Sequence, residues 1–185
     1  MTAGHPALRE RAREITAEEL SAPATQALID DLIETMRAAG GAGLAANQIA
    51  QMPRIAVIEV DHNPRYPYKP PIPLTVIVNP VIEPLDDELF AVNEGCLSIP
   101  GLSWDIVRPN AVHLVGLDLD GNEFSIEATE LEGRIFQHEL DHLDGILLVE
   151  RLDADQRKEA MKILRGRTLH LPAGDLDGLS SLFSR

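Results

Sequence analysis

Cysteine occurs once in the 185 residues, at Cys96. One thiol cannot close an internal disulfide, which excludes a disulfide-stapled secreted scaffold and leads to the expectation of a reducing compartment. Long apolar runs are missing as well. Nothing approaches the ~20 consecutive residues that a membrane-spanning helix needs, so no membrane protein is expected. Positive charge is scarce: 16 Lys+Arg stand against 30 Asp+Glu, a formal net charge of −14. That balance argues against a DNA-binding or other nucleic-acid-binding protein that relies on a generally basic surface. The first twenty residues have no apolar signal core, and Glu10, Glu14, Glu18 and Glu19 contradict the transit-peptide impression left by Arg9, Arg11 and Arg13, so the segment is read as part of the mature protein. No internal repeat or low-complexity tract occurs. With 44% hydrophobic and 25% charged residues over this length, the composition is that of a globular chain of one domain with a sizeable core.

Hydrophobic periodicity divides the chain into elements. Leu28, Ile29, Leu32, Ile33 and Met36 recur at helical spacing within 25–39, and Gly40-Gly41 supplies a stop. The stretch 41–48 is too small-sided for an ordinary core strand, whereas 54–60 reads as a good β run. Pro64, Pro67, Pro70, Pro71 and Pro73 predict an extended loop. Further strands are predicted at 74–82, around 96–99, at 111–118 and at 123–127, the last two joined by a tight turn at Asp120-Gly121. Leu131, Ile135, His138 and His142 then lie on one face of a helix predicted over 130–143 and ended by Asp144-Gly145. A last helix, capped by Asp153, is predicted to run to about Gly166, and 168–185 reads as a loosely held tail.

The strongest chemical signal is His138-Glu139-Leu140-Asp141-His142, an H-E-x-x-H sequence on the predicted helix. Two histidines one turn apart put both imidazoles within reach of one metal ion, with Glu139 beside them to handle a water. A catalytic site needs a third protein ligand. The metzincin pattern fails, because Gly145 is present but the final ligand position is Leu148. A downstream glutamate would have to be Glu150 or Glu159. The better candidate is Cys96, 42 residues upstream, since a thiolate binds a borderline-soft divalent ion strongly.

Three segments in order, Gly41-Ala42-Gly43-Leu44-Ala45-Ala46-Asn47-Gln48, Glu94-Gly95-Cys96-Leu97-Ser98 and Gln137-His138-Glu139-Leu140-Asp141-His142-Leu143-Asp144-Gly145, resemble the three motifs of the peptide deformylases. Gly4-His5-Pro6-Ala7-Leu8-Arg9 also looks like that family's opening segment. The resemblance spans residues 4–167 and implies an α+β fold in which antiparallel β-sheets pack around a central helix carrying H-E-x-x-H, with N-terminal and C-terminal helices. One catalytic domain over 1–167 is therefore expected. The implied reaction is metal-dependent hydrolysis of the N-formyl group from the formyl-methionine of newly made polypeptides in the cytoplasm. The resemblance implies Cys96, His138 and His142 as metal ligands, with Fe(II) in the cell and Zn, Ni or Co replacing it in purified protein. It makes Glu139 the general base, and Gln48 and the Leu97 backbone N–H the oxyanion donors. It places Gly41, Ala42, Gly43, Glu94, Gly95 and Ile135 at the substrate, with His138 against the methionine pocket. Two departures stand out: Asn47, often proline in the family and expected to leave catalysis intact, and Ser103, where many members have an arginine that positions substrate.

The negative charge is unevenly spread. Residues 1–150 hold 9 basic and 25 acidic side chains; residues 151–185 hold 7 and 5. Arg157, Lys158, Lys162, Arg165 and Arg167 make the predicted last helix basic. Such a face is ordinarily just solvated, but the resemblance raises ribosome docking through 153–167, which would need this charge to meet RNA.

Overall fold

The computed structural model describes residues 1–61 and 71–168. Helix α1 (Ala17–Ser21) opens with a capping box: Glu19 N–H donates to Thr16 Oγ1 at 3.2 Å and Thr16 N–H to the Glu19 carboxylate at 2.9 Å. Helix α2 (Pro23–Ala38) has proline at its first position and buries Ile29, Leu32 and Met36. It stops where the two glycines predicted: Gly40, at φ +62°, donates to the Arg37 carbonyl and Gly41 to that of Met36, which closes the helix end.

The strands follow as β1 (Gly43–Ala45), β2 (Ile55–Val60), β3 (Ile72–Pro84), β4 (Leu89–Gly95), β5 (Ser103–Pro109), β6 (Ala111–Leu117) and β7 (Glu123–Thr129). Five form an antiparallel sheet in the order β1-β2-β3-β6-β7, and β4-β5 form a separate two-stranded ribbon. Two expectations need correction. The segment judged too small-sided for a core strand contains β1, fully buried and paired with β2; its small side chains suit a place behind a close-packed helix. The strand expected around 96–99 is instead a turn, with Ile99 N–H donating to the Cys96 carbonyl at 2.9 Å, and the ribbon strands lie on either side of it. Of the predicted proline loop, Pro64, Pro67 and Pro70 lie outside the described residues, and Pro73 has joined β3.

Helix α3 (Glu130–Leu143) has the predicted bounds and packs against β1, β2, β3, β6 and β7. Ten of its fourteen residues are buried, so this helix is central rather than amphipathic over its second half. Gly145, at φ +74°, donates to the His142 carbonyl and Ile146 to that of Asp141, a second glycine-closed helix end. Buried Arg54 supports this end, donating to the Leu143 carbonyl and the Asp144 carboxylate. Helix α4 (Ala154–Thr168) is capped by Asp153, whose Oδ1 accepts from Gln156 N–H at 2.8 Å. Its Ala160, Met161 and Leu164 pack on Cys96, Ile99, Ile106 and Leu148. Asp155 joins Glu159 in this helix, which makes it slightly less basic than its five cationic residues suggest. The predicted tail beyond Thr168 lies outside the described residues.

Candidate metal centre

The second half of α3 presents His138 and His142 from successive turns, their ring centroids 5.1 Å apart and their planes at 69°. The turn after β4 brings the Cys96 thiol to the same place, 3.1 Å from His142 Nε2. One donor atom from each of the three residues lies within 4.8 Å of the others, and all three side chains are buried or nearly so. Glu150 and Glu159 are elsewhere: Glu150 accepts from Arg9 and from Leu147 N–H, and Glu159 lies on the exposed side of α4.

The electrostatics suit a cation. Burial lowers the His138 pKa, but hydrogen bonds with Cys96 and Glu94 override it and hold the imidazole at about 10. A buried thiol and carboxylate thus demand positive charge at this point, and a divalent ion answers the same demand. Burial pushes His142 well below the usual histidine range, keeping it neutral as a ligand must be. His138 Nδ1 lies 3.0 Å from Glu94 Oε2, which leaves Nε2 to face the cluster. One cysteine sulfur and two imidazole nitrogens are a donor set that would hold a divalent ion.

Glu139 sits beside the cluster, 4% exposed, and burial above all raises its carboxyl to about 7. Its Oε2 is buried with no hydrogen-bond partner. The glycine at 43 belongs to this carboxylate: a Cβ there would lie 2.4 Å from Glu139 Oε1. The Gln48 side chain is pinned at both ends, its Oε1 accepting from Ala45 N–H at 2.9 Å and its Nε2 donating to Ser98 Oγ at 3.1 Å. An amide nitrogen carries two hydrogens, so one remains for a ligand. Leu97 is partly exposed and faces Gly41, where a Cβ would come within 2.7 Å of its Cδ1. Ile135 and Ala42 share one apolar cluster with Leu131. At Gly95 a Cβ would make only an ordinary contact, 3.7 Å from the Leu102 carbonyl, and Ser103 is its exposed partner across the ribbon.

Glu94, expected at the substrate, is buried, and Arg108 grips it with two hydrogen bonds of 2.8 and 3.0 Å while Arg134 donates at 2.8 Å. Arg108 also reaches Asp141 at 2.7 Å, and Arg151 donates to the same carboxylate. Burial works against ionisation of Glu94, but bonds from His138 and Arg108 outweigh it and hold the carboxyl at about 2. This network ties β4, β5 and α3 together around the Cys/His/His cluster. Sequence reasoning missed Arg108, Arg134 and Arg151, because no local pattern marks which arginines will meet a carboxylate far along the chain. Ser98 stands within the second motif, but nothing local marks its hydroxyl as the partner of Gln48.

A model of the polypeptide deformylase family matches residues 1–158. The chain belongs to the polypeptide deformylase family. Peptide deformylase 1 of Corynebacterium efficiens is 42% identical over 165 residues, spanning 88% of this chain and 90% of the relative. Among solved structures, a class I type b peptide deformylase from Acinetobacter baumannii bound to Met-Ala-Ser superposes with a TM-score of 0.78 at 35% identity, over 82% of this chain and 95% of that one. The peptide deformylase from Thermus thermophilus gives 0.75 at 35% identity, over 89% and 91%. The enzyme is accordingly a hydrolase of the family that removes the N-formyl group from nascent polypeptides, and a different H-E-x-x-H peptidase or small-acyl amidase, which the H-E-x-x-H sequence alone would also allow, is not favoured. The family is metal-dependent, in keeping with the Cys/His/His cluster. Among the described residues no helix is long and apolar enough to cross a membrane.

Proposed function

We propose that Cys96, His138 and His142 hold the catalytic divalent ion and that Glu139, Gln48 and Leu97 complete the machinery for cleaving a formamide. The supporting observation is the buried three-donor cluster beside a buried carboxylate with an unpartnered oxygen. When bound, the ion acts as a Lewis acid that lowers the pKa of a water toward neutrality. Glu139, with its carboxyl near 7, would accept a proton from a water attacking the formyl carbon and would deliver it to the departing nitrogen, giving formate and a free methionyl amine. The spare N–H of Gln48 Nε2 and the Leu97 backbone N–H receive the oxyanion. The methionine side chain lies against Ala42, Ile135 and His138, and Gly41, Gly43 and Gly95 let the peptide main chain approach. The Met-Ala-Ser ligand of the Acinetobacter relative supports a peptide N-terminus as the occupant of such a site.

The donor set suits Fe(II), Zn, Ni and Co alike, and the family resemblance favours ferrous iron as the working ion. The cytoplasm is the proposed place of action, where nascent chains are made and a thiol ligand stays reduced. The catalytic domain is assigned to 1–167. Exposed Arg157, Lys158, Lys162 and Arg165 on α4 support docking to ribosomal RNA. Lys158→Glu/Lys162→Glu should weaken co-sedimentation with ribosomes; unchanged binding would sink the docking reading. The decisive assay for the reaction is formate release from a formyl-methionyl peptide by protein purified without oxygen, with acetylated and unblocked peptides as controls. Cleavage of an internal peptide bond without formate would overturn the assignment.

A further inference from the structure

Asn47 has no part in the reaction as described so far, yet it is the most completely buried polar side chain among the described residues, at 0% exposure. Its Nδ2 donates to the main-chain carbonyl of His142. That carbonyl also accepts the Gly145 N–H that closes α3. The other end of the amide, Oδ1, is buried with no hydrogen-bond partner, and so is Nδ1 of His142. The second ring nitrogen, Nε2, faces Cys96 at 3.1 Å.

These two orphans are complementary. If Nε2 gives its lone pair to a cation, the neutral ring carries its hydrogen on Nδ1, and a buried N–H needs an acceptor. Amide Oδ1 can only accept, and Nδ1–H can then only donate. Both belong to residues already joined through the His142 carbonyl. We propose that Asn47 is a positioning residue for His142, holding it at two points: Nδ2 on the main-chain carbonyl, and Oδ1 on Nδ1–H, directly or through one buried water. The inference rests on the reading of His142 as a metal ligand. Because Asn47 adjoins Gln48, the same clamp sets the oxyanion donor against the ligand helix. A proline, frequent at this position in the resembling family, has no amide with which to do either, so the clamp belongs to chains such as this one.

The test uses the full chain loaded with Zn²⁺. Chelator competition gives the Zn²⁺ dissociation constant, and ¹⁵N-resolved NMR of the histidine rings reports the His142 Nδ1 proton. Wild type should show a slowly exchanging Nδ1–H signal for His142. Asn47→Ala should lose that signal and bind Zn²⁺ about 10–100-fold more weakly, while Asn47→Asp, which keeps an acceptor, should retain the signal. A merely structural asparagine would change stability without touching the ring proton. If Asn47→Ala keeps both the signal and the affinity while His142→Ala loses affinity, the clamp is refuted and the ligand reading stands. If His142→Ala binds Zn²⁺ as tightly as wild type, the ligand reading fails and the clamp with it. Should Asn47→Ala not fold, wild type alone decides: a His142 Nδ1 without a proton, or with one exchanging as fast as a solvent-exposed ring, overturns the proposal.

Discussion

Gly43 and Glu139 lie almost a hundred residues apart and fit each other as one unit, because the carboxylate fills the space that any Cβ at 43 would take. From sequence the glycine read as room for substrate; in the structure that room adjoins the Glu139 carboxylate. Gly43→Ala should therefore displace Glu139 and lower kcat much more than it raises KM, with the metal content unchanged; a pure KM effect in steady-state kinetics would contradict this. Glu139→Gln should retain the metal and lose roughly 10²–10⁴-fold in kcat, the usual contribution of a positioned acid–base group. Gln48→Ala removes one of the proposed oxyanion donors, and an effect of about 2.7–4 kcal/mol on transition-state stabilisation is expected in kcat. The residue types at these positions were legible in the motifs. The contact between Gly43 and Glu139 was not, because steric exclusion is a property of two surfaces and only one of them is local in sequence.

Among the elements, α3 was the most readable and the ribbon β4-β5 the least. Spacings of 4, 3 and 4 between Leu131, Ile135, His138 and His142 announce a helix whatever surrounds it, and glycine after Asp144 announces its end. The ribbon instead mixes exposed Leu89, Phe90, Val92 and Val107 with buried Glu94 and Arg108, inverting the apolar-inside pattern on which strand reading relies. Its inward charges are stable only because they meet each other. Arg108→Ala would leave Glu94 and Asp141 short of their partner in a buried site, and a loss of about 3–5 kcal/mol in urea unfolding is expected. The same network sets an acid limit. The Glu94 carboxyl lies at about 2 in the folded chain against an ordinary 4.5, so its contribution to stability is complete above that ordinary value and disappears as pH falls toward 2. Between those values wild type should lose more stability than Glu94→Gln does; parallel urea midpoints for the two would argue against the assignment.

For the whole molecule, the site joins two sheets that have no strand in common. Cys96 comes from the turn that joins the two ribbon strands, His138 and His142 from the helix, and Gln48 from the turn after β1 in the five-stranded sheet. A bound ion should then hold the halves together, and chelation should lower Tm: at ion concentrations 100-fold above the dissociation constant the linkage is worth about 2.7 kcal/mol. Calorimetry before and after chelation, with recovery on adding Zn²⁺, measures it; an unchanged Tm would mean that the ion does not bridge the halves. The sequence by itself determined the chemistry, since H-E-x-x-H, a lone thiol and a glutamine in a small-residue stretch are identities that folding cannot alter. It determined α2, α3 and α4 as well, because helical periodicity and end signals are local. Only the tertiary structure decided that Glu94 is buried between two arginines, that Arg108 and Arg151 both meet Asp141, and that Asn47 and His142 each bury an unpartnered polar atom. Those facts depend on which distant groups are brought out of water together, and no local stretch of chain encodes that pairing.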